Sequence, residues 1–387
     1  MSDNVTQLHT DAPKSHLKRI LLFVVIIIAV CALVAVFVFR DALNLDGLRR
    51  WVKYLNVRGD GDYGTYTFDS HNSNQYASFA GGLAVASVGG LDTFDSKGEE
   101  AFLSQAQLEL PQIQTGNKLV MVYDVGGNTL LAVHSQSGEV LRLETEKPIL
   151  DADLSKGDAI CYSTSASGYK SVLTVYNSKQ ELIYRWLSST IYMPLCAVSD
   201  NGAYLAAVGM GQTDGSFEST LYLFQTNSEK LVHSVSLGNE LIYDLLFLDN
   251  NTICAIGEDS AQFLSLDGTQ TGSYAYGDQY LKDFDAGGNG FLTLSVNMYR
   301  AGNRYSLITV DEMGNEIAAS YIGQEILDFS ACGKYVALLT SEGLTIYNRD
   351  LTVYHETAET GMATSVLMRE DGSALLLGGG QGHLYIP

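Results

Sequence analysis

Met362-Ala-Thr-Ser-Val-Leu-Met-Arg-Glu-Asp-Gly-Ser-Ala-Leu-Leu-Leu-Gly-Gly-Gly-Gln-Gly-His-Leu-Tyr-Ile-Pro387 closes the chain, and its reading decides the fold. An apolar run ends at the turn pair Asp371-Gly372. A second run, Ala374 to Leu377, ends in glycines, and a third covers His383 to Ile386. Short apolar runs separated by Gly and Asp read as three strands. The unit just before it, residues 324–361, is complete, with strands expected at 326–330, 335–340, 344–348 and 353–357.

Turn pairs of the same kind recur at Gly81-Gly82, Gly116-Asn117, Gly157-Asp158, Asn201-Gly202, Asn250-Asn251, Asn289-Gly290, Gly333-Lys334 and Asp371-Gly372. A spacing of about 40 residues is that of four-stranded propeller blades. One blade cannot bury both its faces, so blades stack and the ring closes. The expected fold is all-β, an eight-bladed β-propeller over residues 63–387, with seven blades as the alternative. The last unit lacks a strand, and Tyr63-Gly-Thr-Tyr-Thr-Phe-Asp-Ser70 is an unassigned strand at the front. The first strand is therefore expected to complete the last blade.

Ahead of the repeats, residues 1–19 read as a cytoplasmic tail. Ile20 to Phe39 carries no charge or proline. About 20 apolar residues at ~1.5 Å rise cross a hydrocarbon core, so this run is expected to hold the chain in a lipid bilayer as one transmembrane helix. It is longer than a signal-peptide core. Lys14, Lys18 and Arg19 place the N-terminus inside, which puts the propeller outside the cell membrane. Residues 40–62 form a juxtamembrane segment and linker. Leu45, Leu48, Val52 and Leu55 recur at helical spacing opposite Arg49, Arg50 and Lys53, as in a helix lying on a bilayer or packed on the next domain.

Composition removes several classes of function. A net charge of −21 argues against nucleic acid as a partner. The five cysteines are irregularly spaced and suggest neither a disulfide framework nor a zinc site, although Cys161 and Cys196 fall in neighbouring repeats. Ser167-Gly-Tyr-Lys170 and Ser199-Asp-Asn201 imitate serine acyl-enzyme signatures, but the Lys-Thr-Gly element is missing. No motif calls for a metal or a cofactor.

Two sets of residues stand out. Ile149-Leu-Asp151, Ile242-Tyr-Asp244, Leu281-Lys-Asp283 and Ile326-Leu-Asp328 share a register near the start of their blades. Asp151, Asp244, Asp283 and Asp328 are expected to form an acidic arc at one channel mouth. They would bind a cation or accept backbone N–H bonds from adjoining turns. Long connections between second and third strands share a face with the blade-to-blade connections. They are expected to gather Tyr169, Phe217, Tyr276, Tyr280, Tyr299, Arg300 and Arg304 there, and Tyr and Arg are favoured interface anchors.

Asp328-Phe-Ser-Ala-Cys-Gly-Lys-Tyr-Val-Ala-Leu-Leu-Thr-Ser-Glu-Gly-Leu-Thr-Ile-Tyr-Asn348 resembles the blade pattern of WD40-like and YVTN-like propellers, as does Asp371 to Tyr385. The Trp-Asp dipeptide of WD40 repeats is absent, and so are the repeated tryptophans of quinoprotein propellers. A single span before such a propeller resembles uncharacterised bacterial membrane-anchored propeller proteins. The sequence therefore points to an extracytoplasmic scaffold that binds a protein or a cell-wall polymer. The alternative is a propeller enzyme acting on an extracellular glycan or peptide.

Overall fold

In this computed structural model the described residues are 22–27, 30, 50, 65–302 and 304–387. The chain divides into two compact units, Met1–Arg58 and Gly59–Pro387. In the first, residues 22–27 and 30 are helical. Most of the expected span Ile20 to Phe39, and all but Arg50 of the expected helix at 41–57, lie outside the described residues. Among the described residues no helix is long and apolar enough to cross a membrane.

The second unit is a ring of eight four-stranded antiparallel sheets among the described residues. Blades 1 to 8 cover residues 75–105, 111–144, 151–188, 192–238, 242–275, 280–322, 326–357 and 365–385. All eight turn pairs join the innermost strand of a blade to its second strand. The three-stranded eighth blade is completed by Tyr66–Thr67, which pairs antiparallel with Gln381–Tyr385.

Strand composition follows position in the ring. Second strands are buried on both faces, so Leu119–Asp124 and Phe291–Asn297 are buried throughout. Outer strands such as Leu231–Gly238 alternate, because one side meets solvent. Eight apolar clusters fill the eight seams between neighbouring blades. Each fully buried Leu, Ile or Val there contributes roughly 1.5–3 kcal/mol. Cys161 and Cys196 meet across the seam of blades 3 and 4 as free thiols, with sulfurs 3.5 Å apart.

Polar groups clasp the turns of adjacent blades. The Asp200 carboxylate in blade 4 accepts the Lys156 N–H of blade 3, and the Asn250 side-chain carbonyl in blade 5 accepts the Asn201 N–H of blade 4. Gly157 permits this approach, since a Cβ there would overlap the Asp200 carbonyl oxygen.

Candidate functional site

The Ile/Leu-x-Asp register produces the same local distortion in three blades. The strand pairing slips between Ile242 and Asp244, between Leu281 and Asp283, and between Ile326 and Asp328. Each slip is a β-bulge, which leaves the middle residue unpaired and re-aims it. Those middle residues, Tyr243, Lys282 and Leu327, are all exposed. The following carboxylates accept the next N–H in their own strand: Asp244 from Leu245 at 2.7 Å, Asp283 from Phe284 and Asp328 from Phe329, each at 2.8 Å. In blade 3 the Leu150 N–H reaches the carbonyl of Ser163, the pairing partner of Asp151.

The same carboxylates tie blades together. The Cys196 N–H of blade 4 donates to Asp151 at 2.8 Å, and the Val366 N–H of blade 8 donates to Asp328 at 2.8 Å. Two further aspartates do this one step deeper. Asp153 accepts the Val198 N–H at 2.9 Å, and Asp285 accepts the N–H groups of Ala331 at 3.0 Å and Gly287 at 2.6 Å. Their signal lay in Asp151-Ala-Asp153 and Asp283-Phe-Asp285, where a spacing of two puts both side chains on one side of a strand.

Burial raises the pKa of this group. Asp244 is pushed up to about 8, by burial first and then by the nearby charges of Asp151 and Asp153. Burial lifts Asp153 and Asp328 to about 7. Asp151, Asp283 and Asp285 are raised for the same reason. Asp153 and Asp285 also line a cavity of about 480 Å³ formed by the inner strands of blades 2 to 6, near the turn-pair face. Among the described residues no three His, Cys, Asp or Glu side chains are placed to hold a metal ion.

The aromatic residues occupy the other face. Seven aromatic side chains are exposed among the described residues of the propeller: Tyr169, Tyr192, Phe217, Tyr243, Tyr280, Tyr299 and Tyr321. All seven sit at the ends of strands or in connections on that face, and all belong to blades 3 to 6. Tyr169, Phe217, Tyr280 and Tyr299 are where the loop argument places them. Arg300 lies over the Tyr280 ring, 5.3 Å from its centroid. The Lys282 ammonium donates to the Arg300 carbonyl at 2.7 Å, and Arg304 is exposed in the same connection.

Tyr276 departs from that reading. It is only 4% exposed and packs in the seam of blades 5 and 6, and its hydroxyl has no partner among the described residues. The Tyr276 N–H donates to the Asp259 carbonyl at 2.9 Å, which continues the pairing of the strand before it. Tyr192, Tyr243 and Tyr321 escaped the loop argument because they lie beside short blade-to-blade connections, outside the long loops it covered. Tyr243 was legible as the middle residue of a repeated triplet. A groove of about 430 Å³ on this face, between blades 6 and 7, is lined by Gln324, Glu342, Gly343 and Ala358 among others.

Residues 62–370 match the model of a family of unknown function, DUF5711. The chain belongs to this family. The family match ends within blade 8, and the fold itself is shared more widely. No curated protein matches this DUF5711 sequence. It is similar in structure to BamB from Moraxella catarrhalis, with 12% identity, 83% of this chain and 95% of that one covered, and a TM-score of 0.50. It is also similar to the C-terminal WD40 domain of Sif2, with 10% identity, 85% and 96% coverage, and a TM-score of 0.53. At these identities the likeness is one of fold.

Proposed function

We propose that this protein is a membrane-anchored, extracytoplasmic scaffold whose propeller binds a protein partner through the aromatic face of blades 3 to 6. One observation carries the reading: every exposed aromatic among the described residues of the propeller lies on that face. Aromatic side chains offer large contact area at low entropic cost, and exposed clusters of them mark interaction sites. Anchoring by Ile20 to Phe39 and an outside location rest on the charge and length of the N-terminal sequence. A cell-wall polymer is the other ligand such a location would present.

Chemical cross-linking followed by pull-down from intact membranes tests the reading. Wild type is expected to capture a discrete partner, and the double variant Tyr299→Ala/Arg300→Ala is expected to lose it with an almost unchanged melting temperature. Met313→Ala, on the opposite face, should retain capture. If the double variant also melts early, the two side chains support their own blade and the reading falls. For orientation, protease added to intact cells should digest the propeller, and protection until lysis would reverse the topology.

A second reading, an enzyme acting on a glycan or peptide, draws on Asp153 and Asp285, whose raised pKa values and cavity position are features of catalytic acids. Both carboxylates are, however, engaged as acceptors of backbone N–H groups from the next blade. That work needs no substrate, and it favours the binding module.

A further inference from the structure

We propose that the aromatic face takes an extended protein segment rich in Lys or Arg, with one cationic side chain seated on Tyr243 beside Glu258 and Asp259. This rests on the binding-face reading and adds the chemistry of the partner. The two faces of the ring differ in charge. Connections on the aromatic face carry eleven Asp or Glu and three Lys or Arg, whereas the turns of the opposite face carry twelve and eight. The acidity of the molecule is thus least compensated on the face that exposes its aromatics.

Blade 5 brings both features to one place. The bulge lifts Tyr243 out of the ladder, leaving it 47% exposed. Glu258 and Asp259 form the turn beside it and are exposed. Their charges are close enough to help raise the Tyr243 hydroxyl pKa, after burial as the larger cause. Neither carboxylate accepts a hydrogen bond or ion pair among the described residues. Glu240 fixes that turn instead, accepting from the Asp259 N–H at 3.0 Å, from the Ser260 hydroxyl at 2.7 Å and from the Gln262 amide. An aromatic ring beside two unengaged carboxylates suits an ammonium or guanidinium, which gains cation–π and ionic attraction together.

The local cations set the limits of the site. Arg300 lies within electrostatic range of Tyr243, but its guanidinium covers Tyr280 and makes no ion pair with Glu258 or Asp259 among the described residues. Lys282 and Arg304 stand on the same blade 6 side, alongside the exposed carboxylates Asp278, Asp283 and Glu325. A basic segment that seats one cationic side chain on Tyr243 continues over blades 4 and 5, where Tyr192 and Phe217 offer further exposed rings.

Three synthetic peptides of equal length, alternating Ser with Lys, Gln or Glu, test this against the full chain by fluorescence anisotropy. The Lys peptide is expected to bind, and to bind more weakly as salt is raised. Tyr243→Ala, and separately the double variant Glu258→Gln/Asp259→Asn, should each weaken it about tenfold, the size of one such contact. Tyr243→Phe and Met313→Ala should bind as wild type, and matched melting temperatures would show that the variants fold. Equal binding of the Gln or Glu peptide, or wild-type affinity in the Tyr243→Ala variant, overturns the proposal. The two readings fail separately: if the Tyr299→Ala/Arg300→Ala variant loses its captured partner while the Lys peptide does not bind, the face stands and the basic partner falls.

Discussion

Replacing Tyr66 by alanine is expected to destabilise the propeller by about 3–5 kcal/mol, the range for deleting a buried aromatic side chain. Tyr66 is fully buried in the seam between blades 8 and 1, with its ring 6.1 Å from that of Phe94 and at a steep angle to it. It pairs with Gly382, where a side chain would crowd both Leu377 and Tyr66. Arg369 donates to its hydroxyl at 3.4 Å. The strand that carries it has only two paired residues, extended by the Phe68 N–H to the Gly380 carbonyl at 3.0 Å. Closure therefore depends on the side chains of Tyr66 and Phe68 more than on ladder hydrogen bonds. Chemical denaturation should show the loss in Tyr66→Ala and near-complete recovery in Tyr66→Phe. Removing residues 65–70 should go further, exposing the edge of Gln381–Tyr385 to aggregation. A soluble deletion variant with an unchanged melting temperature would refute closure by this strand.

The second large effect is a dependence of stability on pH that runs against ordinary acid denaturation. Asp244 has a folded-state pKa of about 8 against 3.8 when exposed. Between those values the folded protein binds a proton that the unfolded chain has lost. Stability contributed by this group is therefore complete below 3.8 and declines as pH rises toward about 8. Asp153 and Asp328, at about 7, add to the same slope. Turn carboxylates act in the other direction and in another window. Asp267, held down to about 2 by the Ser265 hydroxyl, loses its contribution only as pH falls below 3.8. The melting temperature should thus rise as pH is lowered from 8 toward 5. Asp244→Asn should raise it at pH 8 and flatten the profile. The high net negative charge gives a background slope of the same sign, which the variant retains. An identical slope in the variant and the wild type would show that Asp244 ionises freely in the ring.

These two effects come from different levels of information. The pairing of the first strand with the last blade was legible in the sequence, because a repeat short by one strand and a spare strand at the other end leave one economical arrangement. The eight turn pairs were legible for a related reason: Gly, Asn and Asp are needed wherever the chain reverses tightly. The acidic arc was visible as a register, yet its membership was incomplete. A repeat search finds residues that recur across blades, and Asp153 and Asp285 recur in two only.

What the amino-acid order determined by itself was local and periodic: strands, turns, the blade repeat and the pairing of the first strand with the last blade. Those follow from side-chain size and backbone freedom over a few residues at a time. The choice of eight blades over seven came from the structure. The tertiary structure alone decided which residues meet from different blades. It added Tyr192, Tyr243 and Tyr321 to the four aromatics the loops place on one face, turned Tyr276 from that face into a seam, and set Tyr243 beside Glu258 and Asp259. It also enclosed carboxylates of separate blades closely enough to raise one another's pKa. The reason is physical: burial, charge coupling and shared exposure depend on distances between segments far apart in sequence, and those distances exist only once the ring has closed.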